Sequence, residues 1–109
     1  MNVYLQSCRS ITCILPVGSA RAVLELLNTK KGITTAFIYH VRGVGMNHAK
    51  RSKLTEQLER DELVVLVPKA KAEEIFDYLY EVTGIDQPHH GLMYLEKVTK
   101  ATEMLLSEV

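Results

Sequence analysis

Ile14-Leu15-Pro16-Val17-Gly18-Ser19-Ala20-Arg21-Ala22-Val23-Leu24-Glu25-Leu26-Leu27 returns later in the chain as Leu66-Val67-Pro68-Lys69-Ala70-Lys71-Ala72-Glu73-Glu74-Ile75-Phe76-Asp77-Tyr78-Leu79. Pro16 matches Pro68, Ala20 matches Ala72, Val23 matches Ile75 and Leu27 matches Leu79, all at an offset of 52. The correspondence continues to Gly32-Ile33 against Gly84-Ile85 without a gap. Self-similarity of this kind marks a duplicated supersecondary unit.

Both copies carry the same physics. An apolar, β-prone run (residues 11–15 or 63–67) ends at a proline that has no N–H for a sheet ladder. A helix follows, with Ser19 as the expected N-cap of the first copy. Its apolar stripe is Ala20, Val23, Leu24 and Leu27, spaced i, i+3, i+4, i+7; the second copy offers Ala72, Ile75, Phe76 and Leu79. Gly32 and Gly84 suit the left-handed position that ends each helix. Strands are expected again over residues 33–42 and 92–98. Two βαβ halves in tandem make β-α-β-β-α-β, an α+β ferredoxin-like fold with two helices on one face of a four-stranded antiparallel sheet. A short amphipathic C-terminal helix through Ala101, Met104 and Leu105 is a further expectation.

The strands are apolar on both faces. Leu63, Val65 and Val67 point one way while Val64 and Leu66 point the other, and Ile14 opposes Ile11, Cys13 and Leu15. A sheet with one solvated face alternates apolar and polar residues. This one does not, and nine C-terminal residues are too few to cover it. The face without helices is therefore expected to meet other copies of the chain.

Composition narrows the function classes. At 109 residues the chain has room for one domain, 1–109. Thirteen basic residues balance thirteen acidic ones, which argues against a nucleic-acid binder working by bulk charge. Residues 63–67, the longest apolar run, are far short of the ~20 needed to span a bilayer. The start MNVYLQSCRS lacks a basic-then-apolar signal pattern, so a cytoplasmic location without direct membrane insertion is expected. Cys8 and Cys13 are five apart and read as free thiols.

Two irregular stretches hold the chemistry. Gly43-Val44-Gly45 opens a connector, placed at about 43–62, whose polar part is MNHAKRSKLTEQLERDE. A connection this long is a functional or disordered insert rather than a hairpin turn. As a helix, with only Leu54 and Leu58 in register, it would be marginal alone and would order on a partner. Lys50, Arg51 and Lys53 are offset by Glu56, Glu59, Asp61 and Glu62, giving a mixed-charge surface. The second stretch is Asp86-Gln87-Pro88-His89-His90-Gly91. Its histidines suit an anion pocket, or a metal site with His40 or His48 as a third ligand. No phosphate-cradling Gly-rich lysine motif, nucleophile elbow or Cys–His arrangement is present, so no catalytic centre is read and the chain is expected not to be an enzyme.

From about Ile11 to Lys100 the chain resembles the nitrogen-regulatory P-II signalling proteins. Arg42-Gly43-Val44-Gly45 is similar to that family's Lys-Gly-Phe-Gly entrance to a long connector, the T-loop. Leu63-Val64-Val65-Leu66-Val67-Pro68 resembles its third strand. Thr83-Gly84 and Gly91-Leu92-Met93-Tyr94-Leu95-Glu96-Lys97-Val98 resemble the edges of its B-loop and the strand beyond. The resemblance implies a homotrimer that binds ATP or ADP between subunits and signals to an unidentified protein target through residues 43–62.

There are departures. Met46-Asn47 replaces the family's Arg-Gln, the second irregular stretch is longer and lacks its lysine, and the Arg-rich C-terminal strand is reduced to Lys100. No tyrosine between Met46 and Glu62 could accept the family's uridylyl group. Set against the resemblance, these departures imply a divergent P-II-like protein whose nucleotide site is altered or lost. The expected effector lining is Gly43, Gly45, His89, His90, Gly91 and Lys100, with ATP, ADP or AMP as effectors and no cofactor required. The competing expectation is a metal-handling trimer similar to the divalent-cation-tolerance family, resting on His48, His89, His90 and Cys8. A structural adaptor without a ligand is the third.

Overall fold

The first half builds a strand, a helix and a strand from the pattern described above. In the computed structural model, which describes residues 4–5, 7–45, 56–88, 91–99 and 101–102, these are β2 (Cys8–Pro16), α1 (Ala20–Lys31) and β3 (Ala36–Gly45). The second half repeats them as β4 (Glu56–Pro68), α2 (Lys69–Thr83) and β5 (Leu92–Val98). Two short strands, β1 (Tyr4–Leu5) and β6 (Ala101–Thr102), pair antiparallel with each other. The main sheet has the order β3-β4-β2-β5, and every neighbouring pair is antiparallel. This is the ferredoxin-like β-α-β-β-α-β arrangement.

Register explains where the core lies. The cross-sheet rows Ile38–Leu63–Cys13–Met93 and Ala36–Val65–Ile11–Leu95 face the helices. Against them α1 sets Ala20, Val23 and Leu27, and α2 sets Ala72, Ile75 and Leu79, all buried. Leu24 and Phe76 flank the same cluster. Each large side chain removed from water here contributes ~1.5–3 kcal/mol. Both helices end on left-handed glycines, Gly32 at φ 68° and Gly84 at φ 64°. At α1 the terminus is closed by Gly32 N–H to Asn28 (3.1 Å) and Ile33 N–H to Leu27 (3.0 Å).

The other face carries the rows Phe37–Val64–Thr12–Tyr94 and Tyr39–Glu62–Ile14–Leu92. Leu92 is 57% exposed, Tyr39 52% and Tyr94 38%, on a face over which the described residues set no helix.

Several boundaries differ from the sequence expectation: β2 starts earlier, at Cys8, and β3 later, at Ala36. β3 and β4 run further, to Gly45 and from Glu56, so a paired arm continues from Arg42↔Glu59 to Gly45↔Glu56. A search for apolar runs misses this arm, because its residues are glycines and polar residues interspersed with Val44 and Leu58; Arg42 and Glu59 make one opposite-charge pair at its root. Leu58 accordingly belongs to a strand and not to a helical segment. At the C-terminus, Ala101–Thr102 are extended, because they pair with β1 and do not open the expected helix; residues 103–109 lie outside those described.

Leu79, fully buried between α2 and the sheet, gives a direct test of this packing. Leu79→Ala is expected to lower unfolding free energy by ~2–5 kcal/mol in chemical denaturation, and exposed Tyr80→Ala by under ~0.5 kcal/mol.

Candidate functional site at the connector end of the sheet

Topology brings both irregular stretches to one end of the sheet. The C-terminal ends of β2 and β3 and the N-terminal ends of β4 and β5 all lie there, together with the N-terminus of α1. Gly43 and Gly45 sit on the arm, opposite Leu58 and Glu56. Gly91 opens β5 beside Ile14 and Leu15. With strands ~4.8 Å apart and ~3.3 Å per residue, Gly91 and Gly43 stand about 15–20 Å apart within one chain. The fold brings these glycines to the same end but not into one pocket.

Gly91 has a structural reason to be glycine. Its φ is +119°, and a Cβ there would overlap the Ile14 carbonyl oxygen and lie 2.9 Å from the carbonyl carbon. The turn into β5 packs main chain on main chain. His89, His90, Lys100 and His48 lie outside the described residues. Cys8 is buried near the opposite end of β2, paired with Pro68 and Val98, about 20 Å along the strand from Ile14. Both cysteines are free thiols, and burial pushes Cys13 up to about 12, which keeps it protonated and inert. Among the described residues no group of three His, Cys, Asp or Glu side chains could hold a metal ion.

A polar cluster at this end joins His40, expected only as a possible third metal ligand, to Asp61 and Glu59, expected only as part of a mixed-charge surface. Asp61 occupies the row Leu15–Asp61–His40, the continuation of the helix-facing rows, so its carboxylate points towards the start of α1. Its Oδ2 accepts hydrogen bonds from Gly18 N–H (2.9 Å) and Ala20 N–H (3.2 Å). Asp61 therefore caps α1 from across the sheet. Ser19 does not act as the side-chain cap; its hydroxyl donates to the Pro16 carbonyl at 2.7 Å. No local sequence signal marks this cap: α2 also lacks an acid in its first turn, without an outside carboxylate among the described residues.

His40 bridges Asp61 to a second carboxylate. Its Nδ1 is 3.4 Å from Asp61 Oδ1, its Nε2 is 3.0 Å from Glu59 Oε1, and Arg42 reaches the same Glu59 oxygen at 3.8 Å. Hydrogen bonding to Glu59, then to Asp61, raises the His40 pKa above its ordinary value. Glu59 is lowered, first by His40 and then by Arg42. For Asp61 burial is the largest single influence and works upward, but the Ala20 amide, His40 and the Gly18 amide together outweigh it and leave the pKa lowered.

Among the described residues, concavities also lie away from this end. A shallow groove of about 440 Å³ along α2 is lined by Lys31, Glu74, Asp77, Tyr78, Tyr80 and Glu81. Lys31 is already engaged there, 3.3 Å from Glu74 and 4.9 Å from the Tyr78 ring centre, and ties the two helices together.

No family model and no curated protein matches the sequence. Solved structures do match the fold. The Bacillus subtilis GlnK–ATP complex superposes with a TM-score of 0.69 at 16% identity, over 85% of this chain and 83% of that one. Arabidopsis thaliana PII bound to citrate gives a TM-score of 0.65 at 17% identity, over 86% and 79%. B. subtilis GlnK gives 0.65 at 16%, over 85% and 86%. This chain shares the fold of the PII and GlnK proteins, as a divergent version of it.

Because Asp61 supplies the α1 cap, Asp61→Ala is expected to cost about 0.5–2 kcal/mol in denaturant unfolding, against a few tenths for Ser19→Ala. The lowered carboxyl pKa fixes the sign with pH. The Asp61 contribution is present above the ordinary aspartate pKa and fades as pH falls through its folded value, so the difference between Asp61→Asn and the native chain should shrink on the acid side.

Proposed function

We propose that this chain is a non-enzymatic, PII-like regulatory protein, working as a homotrimer that takes a small anionic effector at clefts between protomers. An adenine nucleotide is the effector to test first. The observation that carries this reading is the fold shared with a GlnK–ATP complex over 85% of the chain. Geometry supports the intersubunit location. Gly43 and Gly45 lie too far from Gly91 for one protomer to close a pocket between them, so a neighbour would complete it. Glycine main chain on the arm would admit phosphate oxygens close to backbone amides. His89, His90 and Lys100 would supply donors and charge. An effector held there sits at the root of the connector, 43–62. It could shift the arm between conformations only by binding them with different affinity, and a protein target would read the result.

The chain's departures from the family weaken the phosphate contacts without removing the glycine-lined entrance. We accordingly expect affinity below that of a complete PII site. Isothermal calorimetry with ATP, ADP and AMP is expected to show one effector per protomer for at least one nucleotide. A matching rise in melting temperature should follow by mass action. Gly43→Asp, which sets a carboxylate at the entrance, should weaken binding at least tenfold. No heat and no thermal shift with any of the three would overturn the nucleotide reading.

A further inference from the structure

We propose that His40 is a proton-operated clasp that ties the β3–β4 arm to the capped start of helix α1 when charged and loosens it when neutral. The argument begins with hydrogen-bond inventory. Both ring nitrogens of His40 face carboxylate oxygens, Nδ1 towards Asp61 and Nε2 towards Glu59. An imidazolium donates from both nitrogens, whereas a neutral imidazole keeps one N–H and turns a lone pair on the other. Only the charged ring satisfies both neighbours. Deprotonation must therefore replace one of the two contacts with a lone pair facing an anion.

The two carboxylates do different mechanical jobs. Asp61 is anchored to α1 through the Gly18 and Ala20 amides. Glu59 lies two residues further out on β4, where it pairs with Arg42 of β3 at the root of the arm. His40 is the link between the anchored carboxylate and the outer one. Its own strand leads directly to Gly43 and Gly45, so its charge state bears on how firmly the root of the connector is held.

The sign follows from the groups facing the ring: Glu59 and Asp61 from β4, Arg42 from β3, and the α1 amides acting through Asp61. The carboxylates hold the His40 pKa above its ordinary value, while Glu59 and Asp61 are themselves lowered and remain ionised across neutral pH. A raised histidine pKa gives stabilisation that is complete below the ordinary histidine value and lost as pH rises through the folded one. The clasp is closed on the slightly acid side and opens on the alkaline side. His40 is 55% exposed, so salt weakens the clasp. It needs no ligand and stands apart from the effector reading, so either can fail without the other.

Hydrogen exchange of the full-length protein, corrected to protection factors, together with NMR titration of the histidine ring, tests the clasp. From about pH 6 to about pH 9, protection of the arm amides (residues 41–45 and 56–60) should fall several-fold, while Ile11 and Cys13 in the central strand stay unchanged. His40→Gln, which cannot titrate, should abolish that pH dependence. Glu59→Gln keeps the shape of the arm and should return the His40 pKa towards its ordinary value. The proposal is overturned if His40→Gln leaves the pH dependence intact. It is equally overturned if native arm protection does not change while His40 titrates, or if Glu59→Gln leaves the ring's titration where it was.

Discussion

A β-sheet that is largely apolar on both faces is costly to leave in water with only one of them covered, and that cost frames this architecture. Two helices on the same side are what the duplicated βαβ unit delivers, and they bury the rows through Leu63 and Val65. Phe37, Val64, Tyr94, Tyr39, Ile14 and Leu92 give the opposite face most of its area, with Thr12 and Glu62 among them, and the described residues set no helix over it. Association through such a face would lower the free energy of a chain whose own core is small. The proposed function inherits this constraint, because a cleft between protomers exists only if protomers meet.

The connector end of the sheet shows a second use of the same register. The apolar helix-facing rows end at Leu15, and the next partners along that row are Asp61 and His40. A carboxylate at the rim of a core would be costly if unpaired. Here it is satisfied by the free amides of α1, whose first turn carries no acid of its own. One side chain thus closes a helix end and secures the strand that leads into the arm. An ordinary N-cap at Ser19 would have done the first job without the second.

Much of the fold was legible in the sequence because it depends on local periodicity. The stripes of Ala20, Val23 and Leu27 and of Ala72, Ile75 and Leu79, and the glycines at 32 and 84, give the helices and their ends at first reading. The site was less legible, since its parts meet only through tertiary register. Asp61 sits in an acidic run that looks like solvated surface, and nothing local links it to Gly18 forty-three residues earlier. The strand pairing beyond Arg42 is not legible because Gly43, Gly45, Gln57 and Glu56 give no apolar run to announce a strand. Gly91 reads as a candidate ligand contact, while its close approach to Ile14 gives it a structural role as well.

The measurement that bears most directly on this account is sedimentation velocity of the untagged protein at micromolar concentration and neutral pH, read for mass. The account predicts a single species of three chains that persists on dilution, with Leu92→Glu and Tyr94→Glu together driving it towards smaller, less stable species. A monodisperse, well-folded monomer of 12.3 kDa would contradict it.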